Sequence, residues 1–333
     1  MKANSRTTPR ELAMLLALFA TLAMLLAMVG PPGAGAQGKA SPEKADQADC
    51  TTGRSVPASK ISIQLYTFNR YIEQGIDTQA GAPGPEATRA ERLEYVFAFL
   101  SEAGYSNVEP YSFHGLTAEQ FDALAEEYDL KVPSRHMSTS EADWDANIAD
   151  AKLLGQRWTG SGGFASPGTG SYENTLATAE TMNRLGERSV KNGTGQIFGH
   201  NHADQFETMY VDAQGDGTLK TAWQILVENT DPRWVAFQLD VGWAVIGDAD
   251  PVALMEQFGD RVELFHVKDV VDIGEPTERQ TTVGQGEVDW AALFAASQGQ
   301  IQQYVIEQDP PAGAFDPFAF ATESFEYVDC LRF

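Results

Sequence analysis

Along this chain, short apolar runs alternate with longer stretches in which apolar positions recur three and four residues apart. The first pattern predicts buried strands and the second amphipathic helices. Strands are expected at 61–66, 107–111, 131–136, 156–159, 197–201, 235–240, 262–266 and 304–307. Helices are expected at 91–103, 117–128, 141–154, about 171–192, 221–228, 251–258, 289–296 and 317–331. Thr117-Ala-Glu-Gln has the form of a capping box, which marks one helix start. Eight strands, each followed by a helix, predict an α/β protein built as a single closed (β/α)8 TIM barrel. A doubly wound open sheet is the alternative, but its Gly-rich phosphate turn is missing. Gly160-Ser-Gly-Gly163 lacks that spacing and reads as a loop.

The ends of the chain fall outside this alternation. Lys2, Arg6 and Arg10 precede an apolar stretch at 12–29, followed by Pro31-Pro32 and Ala34-Gly35-Ala36. Residues 1–36 are therefore expected to be a cleaved signal peptide, with a retained membrane anchor as the alternative. No cysteine directly follows the apolar run, which argues against a lipid anchor. The expected location is secreted or periplasmic, without stable membrane association after cleavage. Residues 37–59 are small, polar and turn-prone and read as a flexible linker. Residues 60–333 form the barrel, at a length common for one such domain.

Charge narrows the partners. The net charge is −24, and removing residues 1–36 takes it to about −26. So acidic a surface is unsuited to nucleic acid, whose affinity comes from neutralising phosphates. Cys50 and Cys330 are the only cysteines. One lies just before the first strand and the other in the last helix, ends that a closed barrel brings together. In an exported chain they are expected to form a disulfide.

Chemistry gathers at the strand ends. Asp240, His266 and Glu307 end three successive strands, with Lys268 just beyond the histidine. In a parallel barrel all of them face the C-terminal rim, where such folds keep their active sites. One aspartate after a strand is commonly a helix cap, and one histidine commonly a core residue. Three in phase point instead to one divalent metal ion held by oxygen and imidazole, with Mn, Mg, Co and Zn all compatible. His200-Asn201-His202 adds two imidazoles. Residues i and i+2 of a strand share a face, so both reach the cavity only if the strand ends between them. His200 is expected as a fourth ligand, with His202 as a substrate contact or proton carrier. Glu109 and His136 end strands two and three, so both are expected to face the same cavity as substrate-binding residues. Glu109 is expected to touch substrate or to hold an imidazole in one tautomer, with an ion pair to Arg135 as the structural alternative. Gln64, Tyr66 and Trp243 are expected to add hydrogen bonds and aromatic faces of the kind that pack on sugar rings.

The same residues carry a family resemblance. Ile-Gln-Leu-Tyr-Thr-Phe at 63–68, Gly-Tyr-Ser-Asn-Val-Glu-Pro at 104–110 and His-Asn-His at 200–202 are part of it. Leu-Asp-Val-Gly-Trp at 239–243, His-Val-Lys-Asp at 266–269, Val-Gly-Gln-Gly at 283–286 and Val-Ile-Glu-Gln-Asp at 305–309 complete the set. In this order they resemble the sugar phosphate isomerase/epimerase family of the xylose isomerase-like barrel superfamily. The resemblance covers about residues 60–333. It implies one divalent metal held by strand-end Glu, Asp, His and Glu. Asp240, His266 and Glu307 match the last three positions, and His200 stands where the first Glu is usual. Ketose epimerases of the family move the proton with two metal-bound carboxylates, of which only Glu307 is present here.

The expected function is a metal-dependent isomerase or epimerase acting on a non-phosphorylated small carbohydrate. Glu307 or His202 would move the proton beside a carbonyl, and Lys268 would offset negative charge. Export and the acidic field both argue against a phosphosugar. The alternatives are a lyase or hydrolase that cleaves 3-keto-glycosides by β-elimination, and a non-catalytic sugar-binding barrel. Apurinic endonuclease chemistry, found elsewhere in the superfamily, is disfavoured. Five histidines are few for its trinuclear metal cluster, and the acidic surface repels DNA. The pattern specifies no oligomeric state.

Overall fold

A computed structural model describes residues 50–297 and 299–333. The expected signal peptide, and the expected linker as far as residue 49, lie outside the described residues. In chain order the strands are β1 (Ile61–Gln64), β2 (Asn107–Glu109), β3 (Trp158–Gly160), β4 (Gln196–His200), β5 (Met209–Val211), β6 (Leu219–Thr221), β7 (Val235–Asp240), β8 (Val262–Val267), β9 (Asp269–Val271), β10 (Arg279–Thr281) and β11 (Gln303–Ile306). Seven form one parallel sheet in the order β2-β1-β11-β8-β7-β4-β3.

The expected third strand, 131–136, is no regular strand, because Pro133 has no N–H to give a ladder. It still closes the ring. On one side Val108 N donates to Lys131 O (2.9 Å) and His136 N to Pro110 O (3.0 Å); on the other, Gly160 N donates to Arg135 O (3.1 Å). Single parallel bridges join Asn107 to Lys131 and His136 to Gly160. Both edges of the seven-stranded sheet thus meet the same segment, and the fold is the α/β barrel that the alternation predicts. Two antiparallel hairpins, β5–β6 and β9–β10, are additions that the alternation does not show.

The helices follow their local signals. Thr88 and Thr117 each cap a helix through a capping box, opening Arg89–Glu102 and Ala118–Glu127. Such a cap stabilises by about 1 kcal/mol. Outside the barrel the helices bury Trp144, Trp223 and Trp290. Among the described residues no helix is long and apolar enough to cross a membrane.

Residues 50–59 are bound to the end of the chain. Arg54 and Phe333 exchange backbone hydrogen bonds of 3.0 Å in both directions, and Val56 is buried. Cys50 and Cys330 form a disulfide with Cα atoms 4.7 Å apart. It joins the segment before β1 to the final helix, Pro317–Cys330.

Candidate metal centre and active site

Parallel strands bring the predicted residues to one rim. Gln64, Glu109, His200 and Asp240 are the last residues of β1, β2, β4 and β7, and Glu307 follows β11. Strand register sets Asp240 beside His266, and Gln64 beside Glu109. Asp240 is also the cap that a strand-end aspartate suggests: its Oδ1 accepts from Trp243 N at 2.9 Å, opening the helix Val241–Ile246. Asn201 fixes its backbone, donating to Asp240 O and accepting from Asp240 N, each at 3.0 Å. Gly242 allows the close approach to Lys268, the residue after β8. A Cβ there would meet the Lys268 carbonyl oxygen at 2.8 Å.

Asp240, His266 and Glu307 form one candidate metal group, their ligand atoms all within 4.8 Å of one another. His266 Nδ1 is 2.8 Å from Glu307 Oε2 and 3.6 Å from Asp240 Oδ2, and its Nε2 is 2.8 Å from Glu109 Oε1. Ionised carboxylates only accept, so both ring nitrogens must carry protons here, or a cation must lie against Nδ1. Burial disfavours charge on His266, but Glu307, Asp240 and Glu109 overcome this and lift its pKa well above the usual histidine range. Asp240 Oδ2 is buried without a hydrogen bond; its nearest ion contact is Lys268 Nζ at 2.9 Å, with the two histidine nitrogens farther off. Burial would raise the Asp240 pKa, yet Lys268 and His266 hold it at about 2. An orphaned carboxylate oxygen, a second carboxylate and an imidazole whose far nitrogen is held by Glu109 fit a divalent cation.

His200 stands slightly apart. Its Nε2 is 3.9 Å from Asp240 Oδ2, and its Nδ1 lies 3.0 Å from Gln238 Oε1. It belongs to an adjoining candidate group with His136 and His266. Burial, then the neighbouring histidines, push its pKa well below the ordinary value, so the ring is neutral and able to ligate.

Glu109 is fully buried beneath the cavity. It accepts from Gln64 Nε2 (2.9 Å), from Gln238 Nε2 at both oxygens (3.1 and 2.9 Å) and from Ser134 Oγ. His136 Nε2 lies 3.1 Å away. Glu109 and Gln64 therefore support the floor of the site and do not line it. Arg135 makes no pair with Glu109. It points out of the barrel to Asp150, at 3.0 Å, because neighbours along an extended segment face opposite sides.

Above this floor is a cavity of about 550 Å³. Tyr66, His136, His200 and Trp243 line it, as do His202, Lys268 and Glu307. β4 ends at His200, so the chain turns there and both histidines of His-Asn-His reach the lining. His202 packs on Trp243, with ring centroids 5.5 Å apart. Lys268 Nζ lies 2.9 Å from each of Asp240 Oδ2, Glu307 Oε2 and Asp309 Oδ2. Burial opposes its charge, but these carboxylates raise its pKa. Burial also disfavours charge on Glu307, but Lys268 and His266 keep its pKa below the usual carboxylate range.

Several residues of the site were not singled out from the sequence. Gln238 lies two residues before Asp240 on the same strand face, a signal that was available. Asp309 and Tyr111 reach the cavity from loops. Asp269, though adjacent to Lys268, turns away from the site. It accepts from Gly284 N, Gly286 N and Trp290 Nε1 at 2.8, 3.1 and 3.0 Å. The Val-Gly-Gln-Gly segment thus wraps a buried carboxylate.

Comparison with known proteins agrees with this architecture. An inosose dehydratase of Geobacillus kaustophilus is 32% identical over 133 residues, 34% of this chain and 42% of that protein. The chain spans about half the length of the curated relatives it matches. A solved sugar phosphate isomerase/epimerase from Parabacteroides distasonis superposes with a TM-score of 0.63 at 20% identity, covering 85% of this chain and 98% of that one. The IOLI protein, solved with a bound zinc atom, gives 0.57 at 13% identity, covering 81% and 98%. At these identities the two structures speak for the fold alone. The model of the xylose isomerase-like TIM barrel matches residues 97–298, more than half of the sequence, and the chain belongs to that family.

Proposed function

We propose that this chain is an exported, metal-dependent carbohydrate enzyme that removes the proton beside the carbonyl of a non-phosphorylated keto-sugar or keto-polyol. The observation that carries the proposal is the convergence of Asp240, His266 and Glu307 under a cavity whose wall holds a buried ammonium group. The basic, apolar and small-residue order of residues 1–36 supports export. When bound, a divalent cation supplies Lewis acidity toward a carbonyl oxygen.

The chain's own groups account for the rest. Trp243 and Tyr66 offer aromatic faces to a sugar ring, and Lys268 holds positive charge where an oxygen becomes negative. Of the bases on the lining, we take Glu307, beside the candidate metal group, and His202, packed on Trp243, as the pair that moves the proton, since Asp309 is held by Lys268 and Gln280 and His136 by Gln238. One carboxylate and one imidazole make an asymmetric pair, which favours β-elimination over symmetric two-carboxylate epimerisation. In that step the C–H pair becomes a C=C bond as the oxygen on the next carbon leaves and takes up a proton. The similarity to inosose dehydratases, named for loss of water, supports the same outcome. Isomerisation or epimerisation is the second reading, favoured by the presence of both Glu307 and His202 on the lining, which allows a proton to be returned.

The test pairs metal content with proton exchange. Mass spectrometry should find about one divalent ion per chain, lost in Asp240→Ala and in His266→Ala. With a 3-keto-glucoside in D₂O, the loaded protein should release aglycone and form an enone. Deuterium exchange without release would select the isomerase reading. No ion after metal loading, together with no exchange, would leave a sugar-binding barrel.

A further inference from the structure

Beyond the reacting cavity lies a second one of about 900 Å³, and Tyr66, Trp243 and Asp309 line both. We infer that this outer cavity is a subsite for an uncharged, ring-sized substituent on the sugar, so that the substrate is a glycoside and not a free monosaccharide. The inference rests on reading the inner cavity as a sugar site.

Its walls indicate the kind of occupant. Phe315, Ile246, Pro310 and Ala314 give it an apolar side. Two arginines also face it, and each pairs with a carboxylate outside the cavity. Arg70 pairs with Asp77 through Nε at 3.0 Å, and its Nη1 donates to Pro311 O at 2.7 Å and Gly313 O at 3.0 Å. Arg279 Nη1 lies 2.5 Å from Asp272 Oδ2. The carboxylates of Glu278 and Asp309 line the same cavity and would repel an anionic group, so the cavity is unsuited to a phosphate. Arg70 instead fastens the 311–313 loop as a wall.

The junction between the cavities is rigidly built. Asp309 accepts from Lys268 Nζ at 2.9 Å and from Gln280 Nε2 at 2.6 Å, and its backbone N donates to Gln280 Oε1 at 2.8 Å. Gln280 belongs to β10, so the β9–β10 hairpin is tied to the rim of the reacting cavity. A ring seated between Trp243 and Tyr66 would direct its substituent across this rim onto the apolar wall.

Calorimetric titration of the full chain with methyl and phenyl β-D-glucopyranoside tests the assignment. The phenyl glucoside should bind about tenfold more tightly or better, on the area its ring buries against the outer wall. Ala314→Trp, which fills the exposed side of the outer cavity, and Phe315→Ala, which removes its aromatic wall, should each abolish that preference and leave methyl glucoside affinity unchanged. Equal affinities in the unaltered protein, or a preference that persists in both variants, would overturn the subsite. Binding of neither glucoside would instead overturn the sugar reading of the inner cavity, and the subsite with it.

Discussion

His266 Nε2 stands 2.8 Å from Oε1 of Glu109, a carboxylate with no exposed surface. The contact fixes which imidazole nitrogen faces Asp240 and Glu307, and so decides whether Nδ1 is presented to a cation. Groups that orient a metal-ligating histidine typically alter metal affinity 10–100-fold when changed. Glu109→Gln should therefore weaken divalent-metal binding by about that factor, measured by titration. Its amide NH₂ would also face the Gln238 donor, which now bonds both carboxylate oxygens. A stability loss of about 1–3 kcal/mol in urea unfolding is expected from that mismatch. Unchanged metal affinity would show that Glu109 does not position the ligand.

Lys268 places one ammonium among three carboxylates, each 2.9 Å away. Lys268→Met should leave Asp240 and Glu307 buried without that cation. The metal-free protein should lose about 3 kcal/mol, at the lower end for a broken buried pair because Asp309 is partly exposed. Added divalent metal should restore much of this loss, since a cation at Asp240 and Glu307 supplies the missing charge. Thermal unfolding with and without metal measures both effects. Equal destabilisation in the two conditions would separate Lys268 energetically from the metal group.

Much of this site was legible because barrel strands announce their ends. Asp240, His266 and Glu307 each close an apolar run, and a parallel fold collects whatever closes such runs. Glu109 was legible as a strand end, but its depth was not. Burial there depends on Gln64, Ser134 and Gln238, which approach from three other segments. The third strand read as a regular one, yet Pro133 interrupts its ladder. The β9–β10 hairpin went unseen because its strands are short, and β10 is polar, so neither strand has an apolar run to mark it. Asp309, two residues beyond Glu307, gains its place from that hairpin through Gln280.

The Cys50–Cys330 disulfide closes a loop with a sequence separation of 280 residues. In the chain-entropy model a loop of that length contributes up to about 5 kcal/mol by restricting the unfolded state. Cys330→Ser with Cys50→Ser should lower unfolding stability by a sizeable part of that amount. The Arg54–Phe333 backbone pair remains to hold the same ends, so metal binding at the opposite rim should be retained. Urea unfolding under oxidising and reducing conditions provides the comparison: reduction should destabilise the unaltered protein and leave the double variant unmoved. No response to reduction in either protein would mean that the bond adds nothing to stability.

His114 supplies a pH dependence away from the metal group. Its side chain is fully buried at φ +54°, with Nδ1 2.9 Å from Glu73 Oε1 and Nε2 without a partner. Burial lowers its pKa below 6.5, partly opposed by Glu73, which itself is paired with Arg89 at 2.8 Å. As pH falls below about 6.5 the unfolded chain takes up a proton at this histidine before the folded one does. The stability owed to the neutral ring is therefore full above that pH and declines on acidification toward the lowered folded value. His114→Asn keeps a residue tolerant of the left-handed backbone and removes the titration. Its unfolding free energy should depend less steeply on pH below about 6.5 than that of the unaltered protein. Parallel slopes for the two proteins would show that His114 is protonated equally in the folded and unfolded states.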